Sequence, residues 1–161
     1  MNAVYIIIGG NQGDVQETFG RVKKELEERI GSFVNQSAIY KTASWGDEGQ
    51  PDYLNQVLYL KSRLSPYVVL QQCLDVEKLL GRIRNQENQW ASRTIDIDIL
   101  YYGDHIIDEP NLSIPHPRMH LRNFVLVPLA EIAPGITHPL SGKTSLELLD
   151  ECEDDLEVHA L

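Results

Sequence analysis

The chain has 161 residues, 42% of them hydrophobic and 24% charged, enough for one globular domain with a sizeable core. A net charge of −10 argues against a general nucleic-acid binder and against a protein that docks on anionic membranes. The early apolar run "AVYIII" is too short for a signal-peptide core or a membrane span and has no basic leader. Cys73 and Cys152 form no C-x-x-C pattern, so a reducing, cytoplasmic setting is expected. With no internal repeat or linker, residues 1–161 read as a single domain whose acidic tail begins at about residue 150.

In chain order, residues 4–8 read as a buried strand followed by the turn "GGNQGD". Asp14 and Glu17 have capping-box spacing, and Val15, Phe19, Val22, Leu26 and Ile30 recur at helical period, with Gly31 closing the helix. A strand at about 33–42, the glycine-rich loop "SWGDEGQPD" and a strand at 53–62 follow. Ser65 and Pro66 open a helix as cap and first residue, and it runs to Leu80 and stops at Gly81. After a polar loop comes a strand at 94–102, then short helices at about 122–132 and 143–150. The run "DECEDDLE" reads as a solvated end. Two strand-helix-strand units predict an α+β protein, a mainly antiparallel sheet with helices packed on one face in the ferredoxin-like plan.

The stretch "RTIDIDIL" carries the chemistry. Side chains alternate along a strand, so Ile95, Ile97 and Ile99 face the core while Asp96 and Asp98 share the other face, roughly 7 Å apart at their α-carbons. Two carboxylates that close need an arginine, a metal ion or water between them. Between Leu79 and Gly142 there is no lysine, yet Arg82, Arg84, Arg93, Arg118 and Arg122 all fall there. Arginine's planar fork suits phosphate, and carboxylates holding Mg²⁺ beside such arginines are the parts of phosphoryl transfer. The bland alternative is that the arginines neutralise an acidic chain and pair with Asp96 or Asp98. Tyr53 and Asn55 share a face at period two, a ring to stack on a flat heterocycle and an amide to pair with its edge, although tyrosine is also common in strands.

Three further patterns are set aside. "GGNQGD" lacks the glycine spacing of a dinucleotide-binding turn, because Ile8 stands where the first glycine would be. "SGKT" lacks the upstream glycine of a phosphate-binding loop and reads as the cap of the last helix. His116 and His120 are four apart, but Pro115 and Pro117 argue against one helical face presenting both to zinc.

Taken together, "R-x-R … W-x-x-R-T-I-D-I-D-I-L", "IPHPRMHLRNFVLVPLAEIAP" and "QPDYLNQV" resemble the 6-hydroxymethyl-7,8-dihydropterin pyrophosphokinases of folate biosynthesis, over nearly the whole chain. The resemblance implies a ferredoxin-like α+β fold and transfer of the ATP diphosphate to the pterin hydroxymethyl group, leaving AMP. It implies that Asp96 and Asp98 hold two Mg²⁺ ions on the ATP phosphates and that Arg82 and Arg93 are catalytic. Arg84, His116 and Arg122 would contact ATP, with Glu77 and the backbone near Ile99 close to the nucleoside. The pterin would lie between Tyr53 and Phe124, read by Asn55 and the Thr42 backbone and covered by Trp45. The expected partners are ATP and the pterin alone, with no nucleic acid and no membrane, and the expected state is a monomer. The chain departs from the family's usual pattern at Gln89, which replaces an arginine, and at Ala91-Ser92, which replace Gly-Pro. The loop from Asn85 to Gln89 is one residue longer, and Ala43-Ser44 stand where proline is common. Two rival readings remain: a ferredoxin-like module that binds a small ligand without chemistry, and a metal-dependent nucleotidyl transferase that releases pyrophosphate.

Overall fold

The structure, a computed structural model, describes residues 1–43, 51–81 and 95–161. The apolar run near the start becomes β1 (Asn2–Gly10), the central strand, antiparallel to β4 (Tyr53–Ser62) on one side and β5 (Asp96–Tyr102) on the other. β2 (Gly31–Gln36) and β3 (Tyr40–Thr42) both pair with the far edge of β4. The order β5-β1-β4-β2/β3, all antiparallel, is the ferredoxin-like α+β fold.

α1 (Val15–Arg29) starts where expected, with Asp14 Oδ1 accepting the Glu17 N–H at 3.2 Å. α2 (Pro66–Leu80) starts with the Ser65 hydroxyl accepting the Val68 N–H. Both bury their apolar stripes against one sheet face. There Phe19, Leu26, Val69, Cys73 and Val76 meet Ile6, Ile8, Leu58, Ile97 and Ile99.

The expectation of helices on one face needs correcting. α3 (Asn123–Ile132) covers part of the opposite face, where Val125 and Leu129 join Tyr5, Ile7, Val57, Leu100 and Tyr101 in a second core. The sheet therefore needs apolar side chains on both faces. A bulge in β5 supplies two of them: Tyr5 pairs with Tyr101 but Ile6 with Ile99, so Leu100 is the extra residue. Leu100 and Tyr101 both turn toward α3, and Tyr102 returns to the first core.

The strand read as continuous over 33–42 is broken at 37–39. Ser37 stands in for the ladder there. Its hydroxyl accepts from the Val57 N–H at 3.0 Å, its N–H donates to the Val57 carbonyl at 2.9 Å, and its carbonyl accepts from Gln56 Nε2 at 2.7 Å. α1 ends at Arg29 with Ile30 as its cap, and Gly31, which has no positive φ, does not act as a left-handed closing residue. It begins β2, where a side chain would meet the Lys61 carbonyl oxygen at 1.9 Å.

Beyond β5, a hairpin of β6 (Ile107–Glu109) and β7 (Leu112–Ile114) was not anticipated. α4 (Ser145–Glu151) opens with a capping box between Thr144 and Glu147, as read from "SGKT". The acidic tail is more than a solvated end, because β8 (Val158–Ala160) pairs with β3 and extends the sheet. Among the described residues no helix is long and apolar enough to cross a membrane.

Candidate active site

α3 leaves one end of its sheet face uncovered, and the polar strand residues gather there. Gly9 pairs with Asn55 on one side and with Asp96 on the other, while Ile7 pairs with Val57 and Asp98. Asp96, Asp98, Tyr53 and Asn55 thus share one floor, as the two-residue period predicts, and all four line a cavity of about 360 Å³. Gly9 is the residue that sequence reasoning missed. A Cβ there would lie 2.5 Å from Asn55 Oδ1 and 3.0 Å from Tyr53 Cε1, so the missing side chain makes room for both. The Tyr53 hydroxyl donates to Asp96 Oδ2 at 2.6 Å, joining the aromatic half of the cavity to the acidic half.

The roof is the start of α3. Arg122 and Phe124 line the cavity, with the Arg122 guanidinium 5.7 Å from the Phe124 ring centroid. Thr42 and Ala43 close the side next to β3, and the Thr42 hydroxyl is buried without a hydrogen-bond partner among the described residues. A second hollow of about 250 Å³ adjoins the first and shares Ile7, Asp98, Arg122 and Phe124 with it, adding His116 and Arg118. His116 is fixed by its N–H to the Leu100 carbonyl at 3.0 Å, and its Nδ1 accepts the Arg118 N–H at 3.2 Å, which leaves the ring proton on Nε2. Burial holds the His116 ring below the usual histidine range. The Asp98 charge opposes this, and the charges of Arg118 and Arg122 add to it.

Glu77 sits behind β5. It is 5% exposed, and its Oε2 accepts the Ile97 N–H at 2.9 Å on the edge of β5 away from β1. By the two-residue period the backbone groups of Ile99 point to the same edge, while its side chain lies in the core. Burial, followed by the charges of Glu77 and Asp98, pushes the Cys73 thiol up, so it stays a protonated core residue. Arg82, Arg84, Arg93 and Trp45 lie outside the described residues, as do Gln89 and Ala91-Ser92. A larger hollow of about 790 Å³ beside α4 shares Arg122 and Leu156 with this site among the described residues.

Among the described residues no three His, Cys, Asp or Glu side chains form a metal site by themselves. Asp96 and Asp98 offer two hard carboxylates. That set suits Mg²⁺ when phosphate oxygens and water complete the shell, and it is too sparse for a resident ion held by protein alone.

Known proteins resemble this chain in sequence and in fold. Residues 5–134 match the family described as 7,8-dihydro-6-hydroxymethylpterin-pyrophosphokinase (HPPK). A 2-amino-4-hydroxy-6-hydroxymethyldihydropteridine pyrophosphokinase of Synechocystis sp. is 42% identical over 147 residues, covering 91% of this chain and 74% of that one. The protein of that name from Methylorubrum extorquens is 38% identical over 150 residues, 92% of each chain. Among solved structures, the wild-type Plasmodium falciparum HPPK-DHPS with SDX-DHP superimposes with a TM-score of 0.72 at 17% identity. That match covers 94% of this chain but 43% of the longer one, and at such identity it shows the fold alone.

Proposed function

The chain belongs to the 7,8-dihydro-6-hydroxymethylpterin-pyrophosphokinase family, and from that premise we propose how its residues divide the work. The reaction transfers the diphosphate of ATP to 6-hydroxymethyl-7,8-dihydropterin, giving AMP and the pterin diphosphate, in folate biosynthesis. The supporting observation is the shared floor: two carboxylates and an aromatic-amide pair in one cavity, next to a hollow lined by a histidine and two arginines.

In this reading Tyr53 and Phe124 stack on the two faces of the pterin, and Asn55 pairs with its polar edge. Its hydroxymethyl group then points toward Asp96 and Asp98. Glu77 and the outer edge of β5 near Ile99 lie close to the nucleoside of ATP. Arg122, Arg118 and the Nε2–H of neutral His116 grip its phosphates. Arg84 contacts ATP, while Arg82 and Arg93 stabilise the group in transfer. Thr42 and Trp45 complete the pterin pocket. Asp96 and Asp98 hold two Mg²⁺ ions, which neutralise phosphate charge when bound. The pterin hydroxyl oxygen bonds to the β-phosphorus as the bond from that phosphorus to the AMP oxygen breaks, and the hydroxyl proton is released to water. The protein contributes position and a fixed positive surround rather than a covalent step. The site is built from one chain, which supports a monomer. ATP as co-substrate supports a cytoplasmic setting, and residues 1–161 serve as one domain.

The test is product identity. Incubation with ATP, Mg²⁺ and the pterin should give AMP and the pterin diphosphate, and Asp96→Asn should abolish both turnover and Mg²⁺-dependent ATP binding. Release of ADP or of pyrophosphate would refute the reading, and so would an Asp96→Asn enzyme that keeps its rate.

A further inference from the structure

Residues 154–160 lie outside the segment matched to the family, residues 5–134, and the sequence pattern gave them no role. In the fold they have three attachments around the candidate site. Asp154 is fastened to the start of α3. Its Oδ2 accepts the Asn123 backbone N–H at 2.9 Å, and its carbonyl accepts from Asn123 Nδ2 at 2.8 Å. Asp154 Oδ1 also accepts the Leu156 N–H at 3.1 Å, which turns the chain back toward the sheet. β8 then pairs with β3, setting Val158 opposite Thr42.

Leu156 stands between these anchors. It is half-buried and joins Thr42, Ala43 and Phe124 in the wall of the 360 Å³ cavity. Asn123 Nδ2 also reaches the Leu156 carbonyl at 3.5 Å, so the Asp154 carboxylate and main-chain bonds hold the tail to the fold without the Leu156 side chain. A leucine inside the acid-rich run "ECEDDLE", turned to the cavity, adds an apolar rim to it. Asp154, for its part, grips Asn123, which lies between Arg122 and Phe124, the two roof residues.

We infer that Leu156 is a specificity-determining residue of the pterin cavity, excluding water from one rim of the ring, and that Asp154 is a positioning residue for the roof. This rests on the pterin reading of that cavity. Removing the leucine branch wets the rim, and at ordinary apolar transfer values the affinity for a flat heterocycle falls roughly 3- to 10-fold. A larger side chain there fills the cavity and excludes the ring. ATP is held in the adjoining hollow, which Leu156 does not line, so nucleotide affinity is untouched by either change. Loss of the Asp154 carboxylate frees the start of α3, and both ligands weaken because Arg122 and Phe124 move together.

The experiment is calorimetric titration of the full chain with 6-hydroxymethylpterin, and separately with a non-hydrolysable ATP analogue and Mg²⁺, with melting curves alongside. The variants are Leu156→Ala, Leu156→Phe, Leu156→Met, Asp154→Ala and, as a control on the site itself, Asn55→Ala. Expected results are a 3- to 10-fold weaker pterin Kd for Leu156→Ala, loss of pterin binding for Leu156→Phe, and a value within twofold of wild type for Leu156→Met. All three should keep the wild-type nucleotide Kd, and Asp154→Ala should weaken both ligands. Wild-type pterin affinity in Leu156→Ala, with affinity lost in Asn55→Ala, overturns this inference alone. Wild-type pterin affinity in both overturns the pterin reading. Pterin and nucleotide affinity falling in step with melting temperature across the Leu156 series would show a merely structural tail and also overturn it.

Discussion

Substituting Gly9 with alanine should disable the site while leaving the fold standing. Gly9 has no positive φ, so backbone strain is not at issue and the effect comes from crowding. The new methyl would sit 2.5 Å from Asn55 Oδ1, whereas ordinary contact needs about 3.4 Å, so the buried amide must retreat by about 0.9 Å. Displacements of that size in a substrate-positioning group cost on the order of 10²-fold in rate. For stability, overpacking costs about 1–3 kcal/mol, while replacing glycine inside a strand returns about 0.5–1 kcal/mol of backbone entropy. The net loss is at most about 2.5 kcal/mol, a fall of roughly 10 °C or less for a chain of this size. Pterin binding followed by tyrosine fluorescence, with parallel melting curves, separates the two effects. In a double-mutant cycle, Asn55→Ala should relieve the stability cost of Gly9→Ala, because it removes the atom that is struck. A Gly9→Ala protein binding the pterin within about threefold of wild type, or simple additivity in the cycle, would refute the reasoning.

Gly31→Ala strikes backbone rather than side chain, at 1.9 Å from the Lys61 carbonyl, and should cost about 3 kcal/mol or more in a urea titration. Gly20→Ala, on the exposed face of α1 with nothing within 4 Å, should instead add about 0.5–1 kcal/mol. Glu77→Ala leaves the buried Ile97 N–H unpaired and should cost about 1–3 kcal/mol, whereas Glu77→Gln keeps an acceptor and should cost less, both read from denaturant midpoints. His138 is buried, and its Nδ1 accepts the N–H groups of Leu140 and Ser141. Burial, then the nearby His120, holds it below the usual histidine range, so protonation is disfavoured in the fold. Its contribution is therefore complete above about pH 6.5 and is lost as pH falls below that value. Melting temperatures between pH 7.5 and 5 should drop less steeply in His138→Asn.

The long elements were legible because period and caps agreed. α1 and α2 start at Asp14 and Ser65 as read, and the alternation in "RTIDIDIL" placed both acids on one face. Tyr53 and Asn55 could be named from the two-residue period and Phe124 from the family resemblance, and the fold brings them into one cavity. What escaped depends on contacts between distant segments. Strands of three residues such as β6, β7 and β8 carry too little pattern to declare a period, and their partners decide them. The break at Ser37 depends on a serine side chain replacing a ladder bond, which no apolar spacing encodes. The roles of Gly9 and Gly31 lie in what opposes them across the sheet, Asn55 and Lys61, and glycine itself carries no sign of that. α3 was found as a helix, but its face could not be, since its near-continuous apolar surface has no single stripe to orient it.

β5 answers to unrelated demands from its two sides. Ile97 and Ile99, with Ile95 just before the strand, are constrained by the volume of the interior, and Asp96 and Asp98 by charge. Evolution can therefore retune either property letter by letter without disturbing the other. Changes of length are another matter. One residue gained or lost between 96 and 98 would put the two acids on opposite faces of the sheet, one of them against the dry interior, unless a bulge like that at Leu100 absorbed it. Natural variation along this strand should accumulate as exchanges of residues, while insertions and deletions collect in the loops.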